Sequence, residues 1–201
     1  MTTTDIIDRF HLQVDDSSEL STEEETALAN EVYNEICSER SWSWLQASHT
    51  ATASVSVPYV ALPADFRELL PNYDLETKIL IGTDYAPYKV VSWSDRRNYR
   101  ETTGVCYIDY SALRLYFTVQ PTEAKAIEFD YVKVQPALTA NTSPLFRADW
   151  HDVIAYGMAT KFDPIQLTPQ GESYQRVNGA LYEQKLEAMR MEDARVKLAV
   201  A

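Results

Sequence analysis

The stretch Gly104–Pro136, GVCYIDYSALRLYFTVQPTEAKAIEFDYVKVQP, constrains this chain most, because it reads as three β runs separated by two short turns. In its middle run Leu113, Leu115, Phe117 and Val119 alternate with Arg114, Tyr116, Thr118 and Gln120. In its last run Ile127, Phe129 and Tyr131 alternate with Glu128 and Asp130. Alternation of period two sends one set of side chains into a core and the other toward water or a partner. Gln120-Pro121-Thr122-Glu123 reads as a turn, since proline presets φ at the second turn position.

The segments on either side have helical spacing. Thr4 to Leu12 carries Ile6, Ile7 and Phe10 on one side of a short helix. After an acidic link, Gln13 to Leu20, the run Ser21-Thr22-Glu23-Glu24 is a capping box that starts a second helix. Leu28, Val32 and Ile36, with Ala29, Tyr33 and Cys37, form its apolar stripe, and Glu31, Glu35 and Glu39 fall on the other side. Trp42 and Trp44 then anchor the helix end. Ala53 to Tyr59 reads as an edge strand, because Pro58 cannot donate to a ladder. Phe66 to Leu70 continues as strand or turn. Lys78–Ile81 and Tyr88–Trp93 flank Gly82-Thr83-Asp84-Tyr85 as a hairpin, and Ser94–Arg100 forms a helical turn.

Beyond Pro136 the strands stop. Trp150, Val153, Ile154, Gly157, Met158 and Lys161 follow helical spacing up to Asp163-Pro164. A last helix, about Gln170 to Lys197, takes Tyr174, Val177, Leu181, Leu186 and Met189 as its apolar side, and at ~1.5 Å per residue it is long enough to project from a compact body. The expected fold class is α+β: a small helical bundle with an inserted antiparallel β-sheet or sandwich. Residues 1–50 supply the N-terminal helices, 51–136 the β region and 137–201 the C-terminal helices, in one structural domain.

Charge narrows the partners. Of the net −12, residues 1–50 contribute −9 and residues 51–201 only −3. Such a chain lacks the cationic footprint that neutralises phosphates. Arg96, Arg97 and Arg100 offer an anion contact, although a solvated turn explains them as well. Thirteen tyrosines against five glycines suit a surface that becomes an interface, and equally suit a plain β domain. Cys37 and Cys106 have no CxxC or histidine spacing, so neither a zinc site nor a disulfide scaffold is expected. The N-terminus lacks the pattern of a signal peptide, and no apolar run approaches the ~18 residues that span a bilayer. The expectation is a soluble protein, made in the cytoplasm, that needs no membrane.

No catalytic constellation emerges. There is no GxGxxG, P-loop, HExxH or GxSxG. His11, His49 and His151 fall in three separate segments. Glu128 and Asp130 share a strand face at a spacing of roughly 7 Å, which two-carboxylate chemistry tolerates, but outward carboxylates are the ordinary reading. No cofactor and no metal is expected.

The order of segments is more informative. SERSWSWL (Ser38–Leu45) closes a helix in aromatics, and YVALPADF (Tyr59–Phe66) leaves a strand through proline. The trio TGVCYID…LRLYFTVQPTEAKAIEFDYVKVQPAL (Thr103–Leu138) follows, then SPLFRADWHDVIAYGMATKF (Ser143–Phe162) and a long charged helix. This order resembles the head-to-tail adaptor proteins of tailed bacteriophages. It is similar both to neck adaptors of long-tailed phages and to tubular or gateway adaptors of short-tailed ones.

The resemblance implies a structural virion protein at the head–tail interface, without enzymatic activity. It implies a homo-oligomeric ring, typically a dodecamer, that docks beneath the portal protein and extends the DNA channel. Its far side would meet the tail or the next neck protein, and duplex DNA would pass without specific binding. Carried over, Gln170–Ala201 is the portal-docking arm, with Met189, Arg190, Met191, Arg195 and Lys197 at its end. Arg114, Tyr116, Glu128 and Asp130 become subunit contacts. An acidic wall repels DNA and lets it slide, and Glu31, Glu35 and Glu39 are the channel-facing candidates. Two other readings stand beside this one: a monomeric β-rich carbohydrate- or protein-binding module, and a carboxylate-pair hydrolase.

Overall fold

Helices flank strands in the computed structural model, which describes residues 1–14, 20–70, 78–81, 86–162 and 169–200. The chain divides into a helical unit, Met1–Trp44 with Gln135–Ala201, and a sheet unit, Leu45–Val134. The fold is α+β, with the strands inserted between N- and C-terminal helices.

In the helical unit, α1 (Thr3–His11) and α2 (Thr22–Ser38) both start in capping boxes. The Ser21 hydroxyl accepts the Glu24 N–H at 3.3 Å while the Glu24 carboxylate accepts the Ser21 N–H at 2.8 Å, as the sequence predicts. Ala29, Val32, Tyr33, Ile36 and Cys37 form the buried stripe of α2. Trp42 is fully buried, donates its indole N–H to the Ile36 carbonyl at 2.6 Å and stacks on Trp44. That fixes the aromatic anchor after α2. In α3 (Asp152–Lys161) every residue from Val153 to Ala159 is buried.

The last helix, α4 (Pro169–Val200), buries Leu186 and Met189 of its expected apolar side but not Val177. Val177 is 54% exposed, and the inward positions include Asn178, Leu186, Met189 and Asp193. Two of these four are polar, so hydropathy alone misses part of the stripe. Asn178 is satisfied by donating to the Gln13 carbonyl at 3.1 Å.

In the sheet unit the strands are β1 (Gln46–Ala53), β2 (Tyr59–Ala61), β3 (Phe66–Leu69), β4 (Lys78–Ile81), β5 (Ala86–Val91), β6 (Val105–Asp109), β7 (Arg114–Phe117) and β8 (Lys125–Lys133). Among the described residues they form one sheet, ordered β1-β8-β4-β5-β6-β7-β2, with β3 also pairing β8. Leu115, Phe117, Ile127 and Phe129 enter its core with Ile79 and Cys106, so the alternation that defines the trio does set the buried face.

Several sequence expectations shift. Ala53–Tyr59 is not a strand: Ala53 ends β1, which pairs β8 from Gln46↔Val132 to Ala53↔Lys125. The chain turns at Ser56, whose φ of 60° breaks any extended run, and resumes at Tyr59. Strand structure therefore begins at Gln46, inside the segment assigned to the N-terminal helices. Leu113 lies in the β6–β7 turn with φ 47°, and Val119 falls beyond β7 at 38% exposure, so the middle alternation is shorter than its apolar residues suggest. The sheet is not wholly antiparallel: β5 and β6 run parallel, Val90↔Cys106, because residues 92–104, with a 3-10 turn at Asp95–Tyr99, carry the chain back first. Nor do β7 and β8 form a hairpin around Pro121, since β4, β5 and β6 lie between them in the order. The Gly82–Tyr85 turn, the Asp163-Pro164 stop and part of the acidic link lie outside the described residues.

Candidate interaction surfaces

Glu31, Glu35 and Glu39 share a face of α2, but they are not bare. Lys161 of α3 donates to Glu31 and Glu35 at 2.7 Å each. Arg190 of α4 grips Glu39 through two bonds, 2.7 and 3.1 Å, and reaches Glu187 at 3.1 Å. Hydrogen bonds to Glu31 and then Glu35 raise the Lys161 ammonium above its ordinary value, and those to Glu39 and Glu187 do the same for Arg190. These pairs are half-exposed, and each contributes on the order of 0.2–1 kcal/mol to stability. Their larger effect is on the field, which two cations cut to a modest negative excess.

The end of α4 is bolted down. Asp193, 2% exposed, accepts the Ser43 N–H at 2.6 Å and lies 2.8 Å from the Lys197 ammonium and 3.7 Å from the Arg40 guanidinium. Lys197 also donates to the Ser41 carbonyl at 2.6 Å. Burial pushes the Asp193 carboxyl up, but the hydrogen bonds from Lys197 and Ser43 outweigh it and hold the carboxyl below its ordinary value. Of the five residues predicted for a docking arm, Met189 is buried and Arg190 and Lys197 are engaged within the helical unit. Met191 at 61% and Arg195 with its side chain 82% exposed face outward, and so does Leu198 at 79%. A cleft of about 360 Å³ lies on the other face of the helix end, lined by Trp44, Leu145, Phe146, Trp150, Met189 and Val196. Arg147 and Glu192, two more of its lining residues, pair at 3.2 Å.

On the sheet, the structure separates the four predicted contact residues into two pairs. Glu128 and Asp130 lie on β8 opposite Thr50 and Ser48, where Asp130 accepts the Ser48 hydroxyl at 2.5 Å. Arg114 and Tyr116 lie on β7, on the face away from the core. There Tyr59, Tyr116 and Tyr107 stand in register across β2, β7 and β6. Tyr59 and Tyr116 are 5.5 Å apart, Tyr116 stacks on Tyr107 at 5.4 Å and 7°, and Tyr107 meets the edge of Trp93 at 5.5 Å. An arginine closes each end: Arg114 lies 4.1 Å over Tyr59 and Arg96 lies 3.8 Å over Trp93.

This row was not visible in the sequence. Its signal is weak: Tyr107 and Tyr116 alternate out of phase with the core, but only the register brings Tyr59 beside them. The Asp193 network left still less trace, since Ser43, which donates to it, is 150 residues away.

The histidines have separate neighbours. His151 is buried between the carbonyls of Met1 (2.9 Å) and Phe146 (2.8 Å), His11 meets Glu25 at 2.5 Å, and His49 lies beside Phe129 on the sheet. Among the described residues no group of three or more His, Cys, Asp or Glu side chains is placed to hold a metal ion, and no helix is long and apolar enough to cross a membrane.

Two comparisons bear on these surfaces. The family model described as SU10 adaptor protein matches residues 1–200. A search of curated proteins returned no match.

Proposed function

Since the chain belongs to the SU10 adaptor protein family, a phage head-to-tail adaptor family, we propose that copies of it form a ring beneath the portal, extend the DNA channel and offer the tail its platform. The match along residues 1–200 carries this reading, because it includes both units and leaves no large segment to a separate function. The family supports a structural role in the virion, with portal and tail proteins as partners, and argues against an enzyme. We take the ring as a dodecamer.

The three surfaces divide the work. Glu31, Glu35 and Glu39 face the channel. With Lys161 and Arg190 among them, this wall is weakly negative rather than fiercely so. Duplex DNA carries one charge per ~1.7 Å, so a wall without net positive charge gives phosphates nothing to hold and lets the duplex slide. The outward residues of α4, Met191 and Arg195, meet the portal. Met189, Arg190 and Lys197 serve the arm by fixing α4 to the rest of the helical unit. Arg114 and Tyr116 at one part of the sheet, Glu128 and Asp130 at another, supply subunit and tail contacts.

Mixing the purified chain with portal particles, followed by negative-stain imaging, tests this directly. A ring of added density on one face of the portal is expected. Portal particles that stay bare at saturating chain, or a monomer that binds sugar instead, would overturn the reading.

A further inference from the structure

The row Arg114–Tyr59–Tyr116–Tyr107–Trp93–Arg96 lies on the face of the sheet turned away from the core, with Trp93 47% exposed and the tyrosines half-buried. Cross-strand packing explains why neighbouring rings touch. It does not explain why both ends are arginines, nor why the cations continue along the 3-10 turn as Arg97 and Arg100. Among the described residues Arg96, Arg97, Arg100 and Arg114 have no carboxylate within ion-pair distance. Of the nearby acids, Asp95 is held by Ser92, and Asp109, the cross-strand partner of Arg114, accepts the backbone N–H groups of Ser111 and Ala112. Residues 89–116 hold five bases and three acids, a net of +2, in a chain of net −12.

We propose that this row seats the acidic N-terminal end of a second copy of the chain. Asp8 and Glu23 of the neighbouring copy lie against the arginines, and Leu12 of the same end, 81% exposed, covers the rings. Charge selects the occupant. Residues 1–25 hold eight acids and one base, the densest excess of either sign in the chain; Asp8 and Glu23 are exposed, while Asp5 and Glu24 close the capping boxes. Tyrosine, tryptophan and arginine are also the residues that anchor interfaces once desolvated. The two surfaces differ, so the contact is head-to-tail, and such a contact propagates to a closed ring when its rotation permits. The inference deepens the ring reading above and rests on it, while naming which surfaces meet.

The test replaces Trp93 with a photoreactive benzoylphenylalanine in full-length chain and mixes it with isotope-labelled chain, both free and with portal particles. Mass spectrometry of the irradiated mixture identifies which copy, and which residues, the probe reaches. The expected product joins position 93 of one copy to residues 1–25 of another. The charge-reversal pair Arg96→Glu with Arg114→Glu should weaken self-association by about tenfold or more, and Asp8→Arg with Glu23→Arg in the mixed partner should restore it. Raising salt from about 0.05 to about 0.5 M should weaken the native contact likewise. Cross-links confined to one chain, directed to another sheet, to portal or to nucleic acid, or absent in both arms, would each overturn the proposal. Portal-bound rings cross-linked elsewhere leave the ring reading standing without this contact; the expected cross-link on a chain that portal ignores does the reverse.

Discussion

Gly157 of α3 lies so close to Val32 of α2 that a Cβ on the glycine would meet Val32 Cγ1 at 2.5 Å and the Tyr182 ring at 3.0 Å. A helix interior ordinarily favours alanine over glycine by roughly 0.5–1 kcal/mol. Here the overlap decides the sign, because Val32 is fully buried and stiff at χ1. Gly157→Ala should therefore cost about 1–3 kcal/mol, the usual range for overpacking. Val32→Ala, damaging alone, should lose most of its cost when combined with Gly157→Ala. Urea unfolding of the four variants measures that coupling, and simple additivity would refute the close-packing account.

Asp193 ties α4 to the loop after α2, and its pH dependence has a definite sign. Its folded carboxyl lies below the ordinary 3.8, so the charged form is favoured by folding. That contribution is complete above pH ~4 and is lost as pH falls through the folded value. Asp193→Asn should cost about 1–3 kcal/mol at pH 7, since Ser43, Lys197 and Arg40 lose a charged acceptor. Lys197 and Arg40 are about a third exposed and keep access to water, which keeps the cost below that of a fully buried orphan. The gap between native and variant stability should be flat from pH 6 to 8 and close below pH ~4.

Much of this molecule was legible in residue order, and the failures share a cause. The Ser21–Glu24 capping box, the α2 stripe and the inward set Leu115, Phe117, Ile127 and Phe129 rest on local spacing, and all stand in the structure. Local spacing failed where backbone geometry broke the pattern, as at Ser56 and Leu113 with their positive φ. It failed again where a buried position was polar, as at Asn178 and Asp193, because hydropathy treats satisfied and solvated groups alike. The aromatic row depends on the register of β2, β7 and β6, which alternation within one strand does not encode.

Cys106 reports on the sheet core. Burial pushes its thiol up to about 12, leaving a thiolate fraction on the order of one in ten thousand at pH 8. Iodoacetamide should leave Cys106 unmodified in the folded protein and label it quickly in urea, as read by peptide mass spectrometry. Labelling in native buffer at the rate of a free thiol would mean that the sheet unit opens far more readily than its packing implies.

The positive-φ residues divide by what their side chains do. Glu101, with φ 71°, is exposed, so its side chain contributes no packing to offset a left-handed backbone. Leu113, with φ 47°, packs partly against the sheet core. A left-handed backbone costs an ordinary residue roughly 1–2 kcal/mol. Glycine removes that cost but adds ~0.5–1 kcal/mol of unfolded-state entropy. Glu101→Gly should accordingly stabilise the protein by up to ~1 kcal/mol. For Leu113→Gly the same relief is set against the burial of a leucine side chain, ~1.5–3 kcal/mol when complete, so the net should be a loss of ~1 kcal/mol. Thermal unfolding of the two variants should shift in opposite directions. A shift of the same sign in both would mean that backbone strain, and not packing, governs the turn at Leu113.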